Sequence, residues 1–384
     1  MECLCDLSEI PKAHEFASEM STKKVLHIST ARSWRGGEQQ ISYLCEELKK
    51  LGWEQHIACI ADAPLHRWAV DNEIPVLALK KRTSLDLIFS RKLKSYSKEH
   101  QIKLWHAHDA HAHGFAVYAA HFFGAESRLL VSRRVDFPVA KSRSSAFKYN
   151  HPSVKGYLCV SDAIAQILKA SLKYPEKVHT VHSSINPIRF ENIEKGHFRS
   201  EFPQIAAKKW IGNTAALTGH KDLFTFLETA ALLKNRRTDV HFFIAGQGEL
   251  EEELKAKAHT LGLDEVLYFL GFRQDVPEIL TDLDVFLFTS EMEGLGTSVL
   301  DAFASQLPVV ATAAGGIPEM VENNVTGLLR PIKDAKALAS AVEIVLDQTE
   351  IKEQIIQGAQ GRLKEFLPAE MAKKTAEHYE GLLN

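Results

Sequence analysis

At 384 residues the chain is longer than one ordinary core and suits two domains. Hydrophobic residues make up 45% and charged residues 25%, an ordinary globular balance, and no apolar run approaches the ~20 residues that span a bilayer. The net charge of −3 is uneven: residues 80–155 hold fifteen Lys and Arg against five Asp and Glu, so the rest of the chain carries −13. That basic zone points to an anionic partner, such as a membrane surface, a lipid phosphate or an acidic glycan, with a merely solvated face as the alternative. Nucleic acid is disfavoured, because no binding motif is present and aromatics are not interleaved through the basic stretch.

In chain order, residues 1–22 read as an N-terminal extension of poor order, and MSTKKVLHIST from Met20 resembles a natural start. The opening residues lack the basic and apolar regions of a secretory signal. Five scattered cysteines without a CxxC favour reduced thiols and a cytoplasmic setting. KKVLHIST is a predicted strand, followed by a helix with apolar spacing from Gln39, ISYLCEELKKLGW. HIACIA and IPVLALK are strands, DLIFSRKLKSYSKEH a basic helix, KLWHAH a strand and AHGFAVYAAHFFG a helix. RLLVSRR and GYLCVS are further strands. SDAIAQILKAS is a helix capped by Ser161 or Asp162, and KVHTVHSS closes this half.

The segment from Ser183 to Lys208 has no sustained apolar period and reads as the join. Alternation then restarts: KKWIGNTAAL (strand), HKDLFTFLETAALLKN (helix), VHFFIAG (strand), GELEEELKAKAHTLGL (helix), VLYFLGF (strand), VPEILTDL (helix), VFLFTS (strand), TSVLDAFASQ (helix), PVVAT (strand) and DAKALASAVEIVLDQ, a helix with Asp334 as cap. Such alternation predicts parallel, doubly wound α/β sheets. We read domains at 23–190 and 191–365 and a final helix over 366–384. Two Rossmann-like halves side by side would leave a cleft at the C-terminal ends of their strands, where ligands bind in such sheets.

The most informative stretch is SEMEGLGTSVLDAFASQLPVVATAAGGIPE, residues 290–319. Gly294 and Gly296 permit tight turns after the strand VFLFTS, and the helix that follows offers free N–H groups and the positive end of its dipole to an anion. Glu293 and Asp301 bracket this loop, and a carboxylate accepts two hydrogen bonds at once from sugar hydroxyls. The simpler reading is a capped helix after a buried strand. LWHAHDAHAHG carries His106, His108, His111 and His113, but strand alternation sends only His106 and His108 to one face, which disfavours a metal site. AGQGEL lacks the third glycine of a dinucleotide fingerprint.

SEMEGLGTSVLDAFASQLPVVATAAGGIPEMVENNVTGLL resembles the donor-site signature of retaining GT-B glycosyltransferases of family 4. Asp301 stands where the family usually has a second Glu. The likeness extends over most of the chain, through GGE at Gly36–Glu38, the degenerate HSSINPIRF with Ser183, Ser184 and Asn186, AGQGELEEEL and YFLGFRQDVPEILTDLDVFLFTS. It implies two Rossmann-like domains, the first on the acceptor side and the second for the donor, with the last helix returning to the first. It also implies Glu293 against the donor sugar and Asp301 on the ribose hydroxyls. Gly294, Leu295, Gly296 and Thr297 would present N–H groups to sugar and phosphate. Gly36 and Gly37 would lie over the diphosphate, and Gly246, Phe272 and Arg273 around the nucleotide.

Members carry an Arg and a Lys that neutralise the leaving diphosphate. Lys221 matches the Lys, and Ala216 stands at the Arg position, which halves the expected positive charge. His108 would line the acceptor side. Arg134 occupies a position where many members have a His near the donor sugar, with Arg133 beside it, and two arginines suit an anionic acceptor or the donor phosphates. The implied catalytic set is Glu293, Lys221, His108 and Arg134, with no metal and no cofactor.

The activity this implies is transfer of a hexosyl group from a UDP or GDP sugar, with retention, to a hydroxyl of a bacterial lipopolysaccharide or lipid-linked glycan. The expected setting is cytoplasmic, peripheral to the inner face of an anionic membrane. The alternatives are a sugar-nucleotide epimerase or hydrolase, a non-catalytic nucleotide-sugar binder and a nicotinamide-dependent dehydrogenase.

Overall fold

A computed structural model describes residues 23–83, 85–139 and 142–383, so the expected N-terminal extension lies outside the described residues. The chain begins with β1 (Lys24–Ile28), α1 (Gly36–Lys50), β2 (Glu54–Ile60), α2 (Pro64–Asp71), β3 (Val76–Leu79), α3 (Leu87–Glu99), β4 (Leu104–Ala107) and α4 (Ala110–Phe123). It continues through β5 (Arg128–Arg133), α5 (Arg143–Tyr149), β6 (Val154–Cys159), α6 (Asp162–Lys169) and β7 (Val178–Thr180). After several 3-10 turns, alternation resumes with β8 (Lys209–Thr214), α7 (Leu223–Arg236), β9 (Val240–Ala245), α8 (Glu251–Thr260), β10 (Leu267–Gly271), α9 (Val276–Asp282) and β11 (Val285–Phe288). The remainder is α10 (Thr297–Ala304), β12 (Val309–Thr312), β13 (Leu328–Arg330), α11 (Ala335–Asp347), α12 (Thr349–Leu363) and α13 (Pro368–Leu383).

The strands form two sheets, ordered β3-β2-β1-β4-β5-β6-β7 and β10-β9-β8-β11-β12-β13. Every recorded pairing between these strands is parallel. Both orders reverse direction after their third strand, so β1 lies beside β4 and β8 beside β11. Such a reversal splays the two following loops apart and makes a crevice at the strands' C-terminal ends. By compactness the chain divides into two units. One holds the described residues up to Val131, Ser153–Lys155 and the chain end from Tyr379; the other holds Ser132–Pro152 and Gly156–His378.

Local chemistry explains the element ends. Asp86, Asp109, Ser161 and Asp334 each accept a first-turn N–H at the start of α3, α4, α6 and α11. Of the two candidate caps for α6, Ser161 caps it and Asp162 is its first residue. The first helix starts three residues before Gln39, because the Glu38 carboxylate reaches back to the Arg35 N–H at 3.1 Å. The sequence reading lacked α2, α5, β13 and α12. β13 holds only three residues, α2 buries only two residues and α5 none, and α12 buries one narrow stripe, Ile355, Ala359 and Leu363.

The second unit's core joins β8, β9, β11 and β12 to α7 and α11 through Ile211, Phe226, Phe242, Leu287, Val310 and Val342, all fully buried. Strands VFLF and VVAT are buried along their whole length, as parallel strands covered on both faces must be. In the first unit Tyr379, on the last turns of α13, is fully buried. It packs edge-on against Trp53, and its hydroxyl lies 2.5 Å from His106 Nδ1. Among the described residues no helix is long and apolar enough to cross a membrane.

Replacing Tyr379 by Phe removes one buried hydrogen bond and should cost about 1–3 kcal/mol. Tyr379→Ala adds the loss of a large buried ring and should cost about 3–5 kcal/mol. Urea unfolding of both variants checks the order.

Candidate functional site

The second unit's reversal point lies between β8 and β11, and the loops that follow these strands carry Lys221 and Glu293. Hydrogen bonds to backbone carbonyls stitch the two loops together. The His220 carbonyl accepts from Glu291 N at 3.0 Å, and Thr289 Oγ1 donates to the Asp222 carbonyl at 3.0 Å. Glu293 is buried, and its Oε1 accepts from both Lys221 Nζ and Ser290 Oγ, the latter at 2.8 Å. Lys221 Nζ also lies 5.5 Å from the centre of the Phe288 ring. A carboxylate and an ammonium held this closely cancel, so the loop presents little net charge of its own.

Positive potential comes instead from α10. Its N-cap is Gly296, at φ +84°, which has no side chain to satisfy the first turn. The N–H groups that begin at Thr297 and the helix dipole therefore point out from the loop. Leu295 is buried and anchors the turn between the two glycines. Asp301 lies one turn into α10, and burial pushes its carboxyl up from 3.8 to about 7, with Arg189 opposing the rise.

The loop is shaped by close backbone packing. A Cβ at Gly315, where φ is +50°, would lie 2.0 Å from the Glu293 carbonyl oxygen, and the Gly316 N–H donates to that same oxygen at 3.2 Å. At Gly294 a Cβ would approach the Arg134 carbonyl to 2.9 Å. Thus GGIPE sits beneath Glu293. Its own acid, Glu319, accepts from Asp162 N at 2.8 Å, Ala163 N at 2.9 Å and His182 Nε2 at 2.8 Å, and so caps α6.

The remaining residues singled out in the sequence fall as follows. Gly246, at φ +155°, ends β9, where a Cβ would meet the Ala215 carbonyl oxygen at 1.8 Å. Phe272 is 67% exposed, an aromatic ring open to a ligand. Arg273 beside it is held by Asp275 and by Glu201, with bonds of 3.0 and 2.6 Å to the latter. Arg133 is buried, donating to Tyr149 Oη at 2.7 Å and to the Phe137 carbonyl. Arg134 Nη1 donates to Ser183 Oγ at 3.2 Å.

In the first unit, Gly36 and Gly37 open α1, and a Cβ on either would meet nothing within 4 Å. His108 is buried just beyond β4, its Nε2 3.0 Å from His27 Nδ1. Sequence reasoning did not select His27, Ser290, Gly315 or Glu319 as individual residues. Ser290, Gly315 and Glu319 stood inside the quoted motif. His27 had no local signal, because its partners come from β4.

Two outcomes test this geometry. Gly315→Ala should lower stability by at least about 1–3 kcal/mol, since it combines a left-handed backbone with a collision at Glu293; thermal unfolding beside the open-site control Gly37→Ala checks it. Asp301 is more easily protonated folded than unfolded, so its contribution to stability is full below pH 4 and is lost as pH rises toward about 7. Asp301→Asn should therefore gain stability relative to the parent between pH 4.5 and 7.5, read as the Tm difference across that window.

Two family models match the chain: Glycosyltransferase Family 4 over residues 34–189 and Glycosyl transferases group 1 over residues 197–362. The amylovoran biosynthesis glycosyltransferase AmsK of Erwinia amylovora is 35% identical over 183 residues, which is 46% of this chain and 43% of that protein. The matched segment thus spans less than half of that relative. The putative glycosyltransferase EpsD of Bacillus subtilis is 24% identical over 94% of this chain and 98% of its own length. Anabaena HepE, solved with UDP and glucose, superposes with a TM-score of 0.79 at 19% identity, covering 94% of this chain and all of that one. The fold is therefore GT-B, and the relatives include enzymes of bacterial polysaccharide biosynthesis. With the two models together matching nearly the whole described chain, this protein belongs to the group 1, family 4 glycosyltransferases.

Proposed function

We propose that this glycosyltransferase moves a hexosyl group from a nucleotide-diphosphate sugar to an acceptor hydroxyl with retention of configuration. The observation that carries this reading is the buried Glu293 paired with the partly exposed Lys221 at the uncapped start of α10, with Asp301 one turn further on. A sugar, a diphosphate and a ribose fit that order: carboxylate for hydroxyls, helix N–H groups and ammonium for phosphate, second carboxylate for the ribose. The UDP and glucose bound in the Anabaena structure support the same class of donor here, with UDP or GDP as the nucleotide. Gly294, Leu295, Gly296 and Thr297 supply the backbone, and Gly246, Phe272 and Arg273 border the nucleotide. Gly36 and Gly37 are assigned to the diphosphate.

In this reading the bond from the anomeric carbon to the diphosphate breaks as the acceptor oxygen bonds to the same face. The acceptor's proton passes to the departing phosphate oxygen. Lys221 and the α10 N–H groups stabilise the leaving charge, so catalysis is positioning and electrostatics. Glu293 is not assigned as a nucleophile, because Lys221 and Ser290 both donate to its Oε1. The step invokes no metal and no cofactor.

Arg134, whose carbonyl abuts Gly294, is assigned to the donor, and Arg133 and His108, both buried, are each assigned to the acceptor side. The acceptor is proposed to be a lipopolysaccharide or lipid-linked glycan. The basic zone supports this, and it suits a peripheral position on the cytoplasmic face of an anionic membrane. Exposed Leu85, Leu87 and Ile88 interrupt that zone.

A panel of UDP-, GDP- and ADP-sugars tests the donor site by thermal stabilisation, since a ligand at 100 times its Kd adds about 2.7 kcal/mol. One member should raise the Tm of the parent and do so much less in Glu293→Ala and Lys221→Ala. If neither nucleotide sugars nor nucleotides shift the parent, the donor-site reading fails. The anomeric configuration of the product, read by NMR, then decides retention.

A further inference from the structure

The first unit's reversal point carries a polar cluster of which the proposed function assigns only His108, to the acceptor side. β1 and β4 pair in register with His27 opposite His106. Opposed residues of neighbouring strands share a face, and so does the residue two further along. The ladder continues past β4, because His108 N donates to the Ile28 carbonyl at 2.9 Å. Three imidazoles from two strands therefore converge, and each is 1–6% exposed. Their ring centres lie 5.9 Å (His27–His106), 5.2 Å (His27–His108) and 4.0 Å (His106–His108) apart. One nitrogen from each ring lies within 4.8 Å of the other two.

We propose that His27, His106 and His108 form a three-nitrogen site for a first-row divalent transition ion of the zinc class. Two nitrogens bound to one tetrahedral zinc stand about 3.3 Å apart. His27 Nδ1 and His108 Nε2 are already 3.0 Å apart, so the pair is close to ligand spacing as it stands. The ion replaces the proton these atoms share, and the ring that donated it carries that proton on its other nitrogen instead. The third nitrogen would have to close in by no more than about 1.5 Å.

The surroundings fit ligation. His106 Nδ1 is held at 2.5 Å by the buried Tyr379 hydroxyl, the kind of outer hydrogen bond that orients a ligating imidazole through its opposite edge. An all-imidazole donor set selects zinc, copper, nickel or iron over magnesium and calcium, which want oxygen. The nearby Asp109 carboxylate is committed to Thr30 N at 2.5 Å, Thr30 Oγ1 at 2.8 Å and two N–H groups of α4 at 2.9 Å. Water completes the coordination. The ion would tie β1 to β4 and, through Tyr379, to the end of α13.

The test uses untagged full-length protein, independent of any nucleotide or acceptor. Elemental analysis should find about one equivalent of transition metal. Chelation should lower Tm and added zinc should restore it. Cobalt titrated into chelated protein should give visible ligand-field bands saturating at about one equivalent. His27→Gln should abolish the bands and the zinc-dependent Tm gain, whereas His111→Gln, at an exposed position near the start of α4, should keep both. If His27→Gln fails to fold, the cobalt titration of the parent decides. Trace metal in the parent, no cobalt bands and a Tm indifferent to chelator would overturn the proposal and leave a metal-free hydrogen-bonded trio. Retention of the bands in His27→Gln would overturn it equally.

Discussion

The Glu293–Lys221 ion pair is the contact on which the second unit's functional end depends. A buried carboxylate needs a counter-charge and hydrogen bonds, and breaking such a pair leaves the carboxylate's desolvation uncompensated. Lys221 follows β8 and Glu293 follows β11, so satisfying this one carboxylate draws together the two loops that the reversed strand order brings side by side. Ser290, Gly315 and Gly316 complete the enclosure. The pair also sets the electrostatics. Under the proposed donor-site reading, attraction for a diphosphate would rest on the open start of α10, and an incoming phosphate would share the Lys221 ammonium with Glu293. Ala216, where the resemblance leads one to expect a second cation, would make that sharing more consequential.

Close packing without side chains is the second constraint. The loop under Glu293, the end of β9 and the turn at Gly294 each place a backbone carbonyl where a Cβ would stand. Glycine there creates room for protein rather than for ligand, in contrast to Gly36 and Gly37, which face open space. The same residue type thus serves two purposes, and spacing in the sequence does not separate them.

The first unit solves a different problem, that of burying polar rings. His27, His106 and His108 lie under the reversal point of its sheet, with Tyr379 and Gln55 beside them. Burying polar groups is costly unless each finds a partner. Here the partners come from β1, β4 and the last helix, elements as far apart in sequence as residues 27 and 379. A sheet interior that collects three imidazoles on one face is either a closed hydrogen-bonded set or a ligand set, and the chemistry of the two differs by one ion.

The sequence by itself determined the alternating strands and helices, the α/β class and the loop from Ser290 to Thr297. These rest on local signals: apolar periods, capping residues and glycines at turns, each read within about ten residues. It also pointed to Asp334 as a cap and narrowed the α6 cap to two residues. Elements such as β13, with three residues, and α5, which buries none of its residues, escaped because they show no apolar period. Tertiary structure alone decided which long-range groups meet. It committed Arg133 to Tyr149 and Arg273 to Glu201, and it set Glu319 on α6. It also put His27 opposite His106. Strand order and register make these encounters, and neither is written in the spacing of any one segment, because a parallel sheet pairs strands that the chain keeps apart.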